Sequence, residues 1–436
     1  MIFGLFGKKG RQEEPEDEEE IDPVRFLGAM NGKDANLAAN QRLADLGLVP
    51  AKDLMTDGLS RRAELIRIDP KGPVGVVNFA VDGIIYPGPK LPKAEALAIT
   101  QMLKLLAGLD IKERKASQSG GIKCEFDGKA FQLMITSVGV ADGERLIVKV
   151  VDPNVKLEMP QEIGMSEDLR KKVRAVLSSR KGVFFVVGPP SSGTSTTLYA
   201  VLRGVDTYML SVFTLGDTGG RKLHNITPFD AIMGDNLATT LQRIARVEGH
   251  LVLTEPVKGP DQIKQLWEKQ DQIGLITEFA AKDAVHGVVQ IMDWLGDPNA
   301  AAEGLTGVLS QKLIRMLCAD CKQAYRPNPE FLKKAGLPAG ITNLYRKPAT
   351  DELPDDAPVC EKCGGVGFYG RTAMFEFIEM TDGMKQVIKE KGDANLIRTQ
   401  MKRDKMLTLQ QDALRLVAEG KTSLDEVQRV FRAPDK

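Results

Sequence analysis

The chain has 436 residues, 42% of them apolar and 27% charged, a length sufficient for two to four domains that each bury a core. Its 59 basic and 59 acidic residues cancel, so the overall charge gives no argument for a nucleic-acid partner, and we expect none. No stretch reaches the roughly 18 consecutive apolar residues of a membrane-spanning helix, and the N-terminus lacks the long apolar core of a secretory signal. We therefore expect a cytoplasmic protein.

The N-terminal region begins with a strongly acidic run. Residues 13–20 read EEPEDEEE, and such a run of like charges predicts a solvated, disordered tail over residues 1–22. Residues 23–53 are predicted to form a helical segment. We expect a break in that segment near Gly47–Pro50, because glycine and proline both disfavour a helix interior.

The following part of the chain, residues 54–155, mixes predicted strands with one helix. Apolar residues recur at helical spacing over 93–108, and Gly108 is typical of a helix C-terminus. The remaining segments alternate apolar and polar residues, as half-buried strands do. Two Asp-Gly pairs are typical hairpin turns: Asp82-Gly83 and Asp127-Gly128. We expect a compact α+β domain here.

Beyond residue 155 the pattern changes to alternating helices and strands. A predicted helix at 166–179 precedes the apolar run Val183–Val187, which a glycine- and serine-rich loop joins to another helix. Three further strands are predicted, at 209–215, 250–254 and 273–277. Such alternation indicates a parallel sheet with helices on its faces, so we expect an α/β domain over 156–310.

The loop after that apolar run has much of the form of a phosphate-binding loop. The sequence GPPSSGTSTTLYA at 188–200 lies between a strand and a helix, where backbone N–H groups and a helix N-terminus face a bound anion. Gly188, Gly193 and Ser195 fit the pattern G-x-x-x-x-G-K-[ST], but Thr194 stands in the lysine's place. Taken alone, the sequence also fits a serine-rich strand-to-helix turn.

Four of the five cysteines form two C-x-x-C pairs. They are Cys318, Cys321, Cys360 and Cys363. Four thiolates in this arrangement predict a closed tetrahedral site for a structural Zn²⁺ ion, because a full set of sulfur ligands leaves no position for a substrate. Free thiols or a redox-active pair are the alternative. The fifth cysteine, Cys124, is predicted to be a core residue of a strand.

Several segments, in order along the chain, resemble motifs of the type II secretion and type IV pilus assembly ATPases. The loop resembles the family's G-P-T-G-S-G-K-T-T-T-L-Y, and TEFAAKDA (277–284) resembles its S-T-L-H-T-N-D-A. Further matching segments are AELIRIDP (63–70), AGLDIKERKASQSGGI (107–122), LQRIAR (241–246), LIRMLCADCKQAY (313–325), CEKCGGVGFYGRTAMFEFIEMTD (360–382) and MLTLQQDALRLVAEGKTSLDEVQRV (406–430). The chain is identified as a divergent member of that family over roughly 54–432.

The resemblance implies an architecture in five parts after the acidic tail. The helical segment would precede a PAS-like α+β domain at 54–155 and a RecA-like P-loop NTPase domain at 156–310. A zinc-binding element at 311–372 and a C-terminal helical region at 373–436 would complete the chain. The family is hexameric and works with inner-membrane platform proteins, so the resemblance implies a ring, of this chain or mixed with paralogues, at the cytoplasmic side of that membrane.

The resemblance also assigns site residues and cofactors. Glu255 matches the catalytic glutamate that orients the attacking water. The residues that would bind ATP and its Mg²⁺ are Gly188, Ser192, Gly193, Thr194, Ser195, Thr196, Arg145 and Asp217. The four paired cysteines match the family's zinc ligands.

The departures from the family fall mainly on its charged positions. Thr194 replaces the loop lysine, Ser191 a loop glycine, Gly216 an acid and Ala280 a histidine. Candidate arginine positions in the N-terminal domain hold Ala80, Gly121 and Met134. Phosphoryl transfer depends on cations that neutralise the phosphates. These changes therefore predict weak or absent ATP binding and impaired hydrolysis.

We accordingly expect a pseudoenzyme that acts as a structural or regulatory subunit of a secretion or pilus system. One alternative is an active, ATP-hydrolysing ring motor, favoured by the retained Glu255 and Ser195. Another is a metal-stabilised adaptor that binds no nucleotide.

Overall fold

The computed structural model describes residues 22–432 except 156, 217, 219–220, 222, 329, 331, 333–335, 338–339 and 350–357. The chain divides between Val155 and Lys156 into two compact units. The acidic run at 13–20 and Asp217 lie outside the described residues. Among the helices that are described, none has the length and apolar character needed to cross a bilayer.

The first unit is an antiparallel sheet with two helices. Its elements are β1 (Arg25–Ala29), a 3₁₀ turn (Leu37–Asn40), α1 (Gln41–Ser60), β2 (Leu65–Lys71), β3 (Val74–Val81), β4 (Ile84–Pro92), α2 (Lys93–Leu106), β5 (Gln118–Phe126), β6 (Lys129–Val140) and β7 (Gly143–Val151). The seven strands lie in the order β1-β5-β6-β7-β2-β3-β4. Apolar residues of both helices and of the sheet form one core.

The two expected hairpins are confirmed, and their geometry follows from the turn residues. Asp82 and Gly83 have φ angles of 50° and 79°, and Asp127 and Gly128 have 49° and 65°. Positive φ at both central residues is the condition for a two-residue turn that suits the twist of antiparallel strands. The turns join β3 to β4 and β5 to β6.

The prediction of a helical segment at 23–53 is wrong for its first part. Arg25–Ala29 is a strand, paired antiparallel with β5, and that partner lies too far along the chain to be read from local pattern. The expected break at Gly47–Pro50 is also wrong, because α1 runs through both residues. A Cβ atom at Gly47 would lie 2.7 Å from the carbonyl oxygen of Ala98 in α2. Glycine therefore permits the close approach of two helices, and the packing offsets the helix-breaking tendency.

The second unit contains a mostly parallel sheet. Its elements up to the first long strand are α3 (Glu167–Leu177), β8 (Val183–Gly188), α4 (Thr194–Arg203), β9 (Val212–Thr214), β10 (Ile226–Pro228), α5 (Leu237–Arg246), β11 (Leu251–Leu253), α6 (Pro260–Trp267), β12 (Gly274–Ala280), α7 (Ala284–Leu295), α8 (Pro298–Gly304) and β13 (Leu305–Leu317). The remaining elements are β14 (Gln323–Tyr325), β15 (Leu344–Arg346), β16 (Phe368–Glu379), α9 (Asp382–Lys389), α10 (Ala394–Arg403), α11 (Leu409–Ala418) and α12 (Leu424–Phe431).

The seven strands of this sheet lie in the order β10-β9-β11-β12-β8-β13-β16. All neighbours are parallel except β16, which runs antiparallel to β13. Every residue of β8 is buried, as expected for a central parallel strand covered on both faces. Two apolar clusters cover the two faces. The expected α/β fold with a parallel sheet is confirmed.

Two domain boundaries expected from the sequence fall inside strands. Residue 310 lies within β13 and residue 372 within β16, and these two strands pair with each other from Gly307 to Leu317. The cysteine-bearing segment is therefore an insert between two strands of the sheet. The boundaries at 310 and 372 are wrong because local motifs do not reveal which strands extend a distant sheet.

Candidate phosphate loop and cysteine cluster

The segment between β8 and α4 has the strand–loop–helix form expected of a phosphate loop. Gly193 immediately precedes α4 as its N-cap residue, with φ 85°, and supplies no side-chain cap. Ser191 has φ 64°, a left-handed conformation that glycine adopts freely and other residues adopt at some cost. This serine replaces the glycine of the family motif. The loop therefore has a left-handed backbone conformation at a residue that disfavours it.

A side chain from the neighbouring strand fastens this loop. Gln311 on β13 donates a 2.7 Å hydrogen bond from Nε2 to the carbonyl oxygen of Ser192. Both residues are buried. A Cβ atom at Gly193 would lie only 3.1 Å from the same Nε2. Glycine is therefore needed here both for its positive φ and for the room it leaves to the glutamine.

Ser195, which matches the serine or threonine of the phosphate-loop pattern, contacts a buried carboxylate. Ser195 donates a 2.6 Å hydrogen bond from Oγ to Oε1 of Glu278 on β12. Glu278 is 8% exposed, and its Oε2 has no hydrogen-bond partner among the described residues. The neighbouring Thr194 is the first residue of α4. The first turn of α4 therefore presents the hydroxyl groups of Thr194 and Ser195, and the charged group that contacts it is the carboxylate of Glu278.

Glu255 lies where the sequence places it, just after the C-terminal end of β11. It is exposed, and its backbone carbonyl accepts a 2.8 Å hydrogen bond from Thr277 Oγ1. A Cβ atom at Gly216 would lie 2.6 Å from Oε1 of Glu255. The glycine that replaces an acid of the family motif therefore leaves the space that the glutamate side chain occupies. The carboxyl ends of parallel strands bring Glu255 and the loop to one edge of the sheet.

Asp283, which matches the aspartate of the family motif S-T-L-H-T-N-D-A, has a structural role in this chain. It caps α7, accepting a 2.8 Å hydrogen bond from the backbone N–H of His286, and Arg398 lies 3.2 Å from its other oxygen. Burial opposes ionisation, but the bonds from His286 and the charge of Arg398 hold the pKa of Asp283 below its usual value. Glu376 on β16 accepts a 2.9 Å bond from the N–H of Ala284, and burial raises the pKa of this carboxyl to about 7.

Arg145, the predicted nucleotide ligand from the first unit, lies on β7 and pairs with Asp69. Its Nε is 2.5 Å from Oδ1 of Asp69, while Arg67 lies 2.7 Å from Oδ2 of the same carboxylate. Two of the positions where the family has arginines, Gly121 and Met134, are direct cross-strand partners on β5 and β6. Neither of this pair of neighbouring strand positions carries a cation.

The four paired cysteines come together as one cluster. Their sulfur atoms all lie within 4.8 Å of one another, and none is in a disulfide. The Cys318–Cys360 and Cys321–Cys363 sulfurs are 3.9 and 3.6 Å apart. A tetrahedral ion with sulfurs at about 2.3 Å separates neighbouring sulfurs by about 3.8 Å, so the arrangement fits such an ion. The N–H of Gly367 also donates a 3.3 Å bond to Cys363 Sγ, which helps to orient that sulfur.

Sequence reasoning missed two side chains that contact the loop, Glu278 and Gln311. The signal for Glu278 was present, because TEFAAKDA has a glutamate at the position where the family motif has its first threonine. Gln311 carried no such signal, since it lies within an apolar strand and reaches the loop only through strand pairing. Cys124 is confirmed as a core residue of β5, and burial raises the pKa of its thiol to about 11.

Comparisons with known proteins agree with this arrangement. The family model for type II/IV secretion system proteins matches residues 47–429. The type II secretion system protein E of Dickeya dadantii (strain 3937) is 28% identical over 384 residues, which are 87% of this chain and 74% of that protein. The type IV pilus assembly ATPase PilB of Thermus thermophilus is 25% identical over 382 residues, which are 86% of this chain but 42% of that protein.

Solved structures show the same fold. The Legionella pneumophila ATPase DotB matches with a TM-score of 0.54 at 13% identity, over 88% of this chain and 96% of that chain. The pilus retraction motor PilT with bound ADP matches with a TM-score of 0.51 at 13% identity, over 88% of this chain and 97% of that chain. Since the family model spans well over half of the sequence, this chain belongs to the type II/IV secretion system protein family.

Proposed function

We propose that this chain is a nucleotide-impaired member of its family that serves a secretion or pilus assembly system as a structural or regulatory subunit. One observation carries the proposal. The phosphate loop keeps its strand–loop–helix form, yet the first turn of α4 begins with Thr194 where a lysine ammonium would meet the phosphates.

The missing charge is large on the scale of binding energies. A hydrogen bond to a charged group contributes about 1.5–3 kcal/mol, and a loop lysine makes more than one. A single arginine that stabilises the transferring phosphoryl group is worth about 10³–10⁵ in rate. Gly121 and Met134 stand at two positions where an arginine could have contacted the phosphates, so two further cations are missing. Losses at separate positions are harder to compensate than one substitution.

The proposed role follows from what the loss of catalysis would leave intact. The fold of the family is retained in both units, so a copy of this chain could occupy a place in a ring without driving it. We propose a hexameric ring, made of this chain or mixed with an active paralogue, that contacts inner-membrane platform proteins. The relatives named for type II secretion and for pilus assembly support this class of partner.

The cysteine cluster is proposed to hold one structural Zn²⁺ ion. Four sulfur ligands would fill a tetrahedral site and leave no position for a substrate or an activated water. The ion would then close the insert between β13 and β16 and take no part in phosphoryl transfer.

An ATPase assay tests the proposal directly. We expect purified wild-type protein to hydrolyse ATP no faster than a Glu255→Gln variant. Without cations on the phosphates, the retained Glu255 has no efficient reaction to assist. Thr194→Lys should tighten the binding of a fluorescent ADP analogue by about tenfold or more, the equivalent of one charge-assisted hydrogen bond. Thr239→Lys, which adds the same charge to the first turn of α5, is the matched control and should leave nucleotide affinity unchanged.

The retained Glu255 favours the alternative of an active ring motor, and the same assay separates the two. Turnover of the wild type that clearly exceeds that of Glu255→Gln would support the motor and contradict the proposal. Nucleotide-independent co-purification with an intact family ATPase would distinguish a ring subunit from an adaptor that binds other partners.

A further inference from the structure

The hydrogen bond between Ser195 and Glu278 places a carboxylate at the phosphate loop. Oε1 of Glu278 lies 2.6 Å from Ser195 Oγ, which must donate the bond because an ionised carboxylate only accepts. The glutamate is 8% exposed. Its second oxygen is buried without a hydrogen-bond partner in the described part of the chain. The negative charge is therefore held in the interior and is not fully compensated.

Strand pairing fixes the position of this carboxylate. Glu278 lies on β12 in register with Val186 of β8, two residues before Gly188 at the start of the loop. Both strands are buried in the centre of the sheet. A side chain on such a strand cannot leave with a mobile loop, so its charge stays beside the N-terminus of α4.

That helix terminus is also where a phosphate group would bind. The N-terminus of a helix attracts anions through its N–H groups and its dipole, and Gly193 supplies no side chain to cap α4. Glu278 already presents an anion there and already engages the Ser195 hydroxyl. A second, more highly charged anion would meet this buried carboxylate at short range, where like charges repel. Thr194 supplies no cation to reduce that repulsion.

We propose that Glu278 determines the ligand specificity of the loop by excluding polyanionic ligands, nucleoside di- and triphosphates above all. The inference rests on the proposed function and deepens it, because it adds a second and separate cause. Thr194 removes an attraction for phosphate, whereas Glu278 introduces a repulsion. The loop therefore excludes nucleotides for two reasons: it lacks the lysine that Thr194 replaces, and it has the carboxylate of Glu278.

A titration of the full-length protein with a fluorescent ADP analogue, with and without Mg²⁺, tests the proposal. Glu278→Gln keeps the size of the side chain and an oxygen for Ser195 while it removes the charge. Glu278→Thr is a second variant that shortens the side chain. We expect both to bind the analogue at least about tenfold more tightly than the wild type, with or without Mg²⁺. Glu268→Gln, which neutralises an exposed glutamate at the end of α6, should change the dissociation constant by less than about twofold.

The outcomes are distinct once circular dichroism melting has shown that at least one Glu278 variant is folded. Unchanged or weaker affinity in the folded variants would overturn the proposal. Loss of affinity only in the presence of Mg²⁺ would overturn it in a specific way, because Glu278 would then be a magnesium ligand. If the wild type and the Glu278 variants all bind the ADP analogue weakly, this inference is refuted while the proposed function is still supported. A wild type that hydrolyses ATP efficiently refutes the proposed function, whichever way the Glu278 variants behave.

Discussion

Lys104 and Glu144 form an ion pair in the interior of the first unit, with Nζ and Oε1 2.5 Å apart. The side chains are 0% and 3% exposed. The ammonium also donates to the carbonyl oxygen of Glu113, and Ser137 donates to the carboxylate. The pair joins α2 to β7 and lies beside a cavity of about 640 Å³ that Glu144 helps to line. Burying a charge pair costs desolvation energy for both groups. The pair's contribution to the stability of the fold therefore depends on both partners being present.

Lys104→Met is expected to destabilise the first unit by about 3–5 kcal/mol, because it leaves the Glu144 charge buried and unpaired. The double variant Lys104→Met/Glu144→Gln should cost less than the single variant, since no charge remains inside. Urea unfolding measures both. The exposed pair Lys171–Glu167 is the matched control, and Lys171→Met should cost far less, because solvent screens that pair. Equal losses for Lys104→Met and Lys171→Met would contradict the expectation.

Gln311→Ala is expected to loosen the phosphate loop, because the buried carbonyl of Ser192 would lose its donor. An unsatisfied buried acceptor costs about 1–3 kcal/mol. Hydrogen exchange should become faster at the amides of residues 191–193 while β8 stays protected. Gln386→Ala, which removes an exposed bond to Glu390, is the control and should change the stability by at most about 0.5 kcal/mol. Unaltered exchange in the loop of Gln311→Ala would show that other contacts hold it.

Metal analysis of anaerobically purified protein should find close to one zinc ion per chain. Cys360→Ser should lower the zinc content and the melting temperature, because a structural ion adds its binding energy to the stability of the fold. A strong chelator should have the same effect on the wild type. Cys124→Ala is the control: its thiol is buried in the core of the first unit and is not one of the four clustered sulfurs, so the zinc content should be unchanged. Zinc-free protein with an undiminished melting temperature would count against the site.

Glu376 should make the second unit less stable as the pH rises. Its pKa is about 7 when folded, above the usual value of 4.5, mainly because of burial, with the Asp283 charge adding to it. Between about pH 4.5 and 7 the folded protein retains a proton that the unfolded chain has lost. The free energy of unfolding should therefore fall across this window, by an amount on the order of 3 kcal/mol, and then level off.

Glu376→Gln should remove that slope, because the amide does not titrate. Urea unfolding of both proteins at a series of pH values gives the difference curve, in which other titrating groups cancel. Nearby Arg398 and Lys312 lower the pKa of Glu376 and Asp283 raises it, and all three remain in the variant. Parallel curves for the two proteins would show that Glu376 titrates at its ordinary pKa.

Local chemistry made parts of this structure predictable from the sequence. The Asp82-Gly83 turn needs two residues with positive φ, and an Asp-Gly pair in the sequence predicts such a turn. The buried run of β8 followed by a glycine-rich loop and a helix is likewise a continuous stretch of chain. The cysteine cluster was predictable because the C-x-x-C spacing itself brings two ligands together.

The missed features depend on contacts between distant parts of the chain. β1 is a strand because β5 lies beside it, about a hundred residues later. Glu278 reaches Ser195 because β12 pairs with β8, and Gln311 reaches Ser192 because β13 pairs with β8 on the other side. No local pattern states which strands become neighbours. The most informative side chains of the loop were therefore the ones that sequence reasoning could not place.

The strand β13 carries Gln311, which fastens the phosphate loop, and ends next to Cys318 of the cysteine cluster. At about 3.3 Å per residue the two residues are about 23 Å apart along one stiff element. The pairing with β16 shifts by a residue between Arg315 and Leu317, close to the cysteine end. One continuous strand, paired with β8 and β16, therefore leads from the residue that fastens the loop to the first cysteine of the cluster.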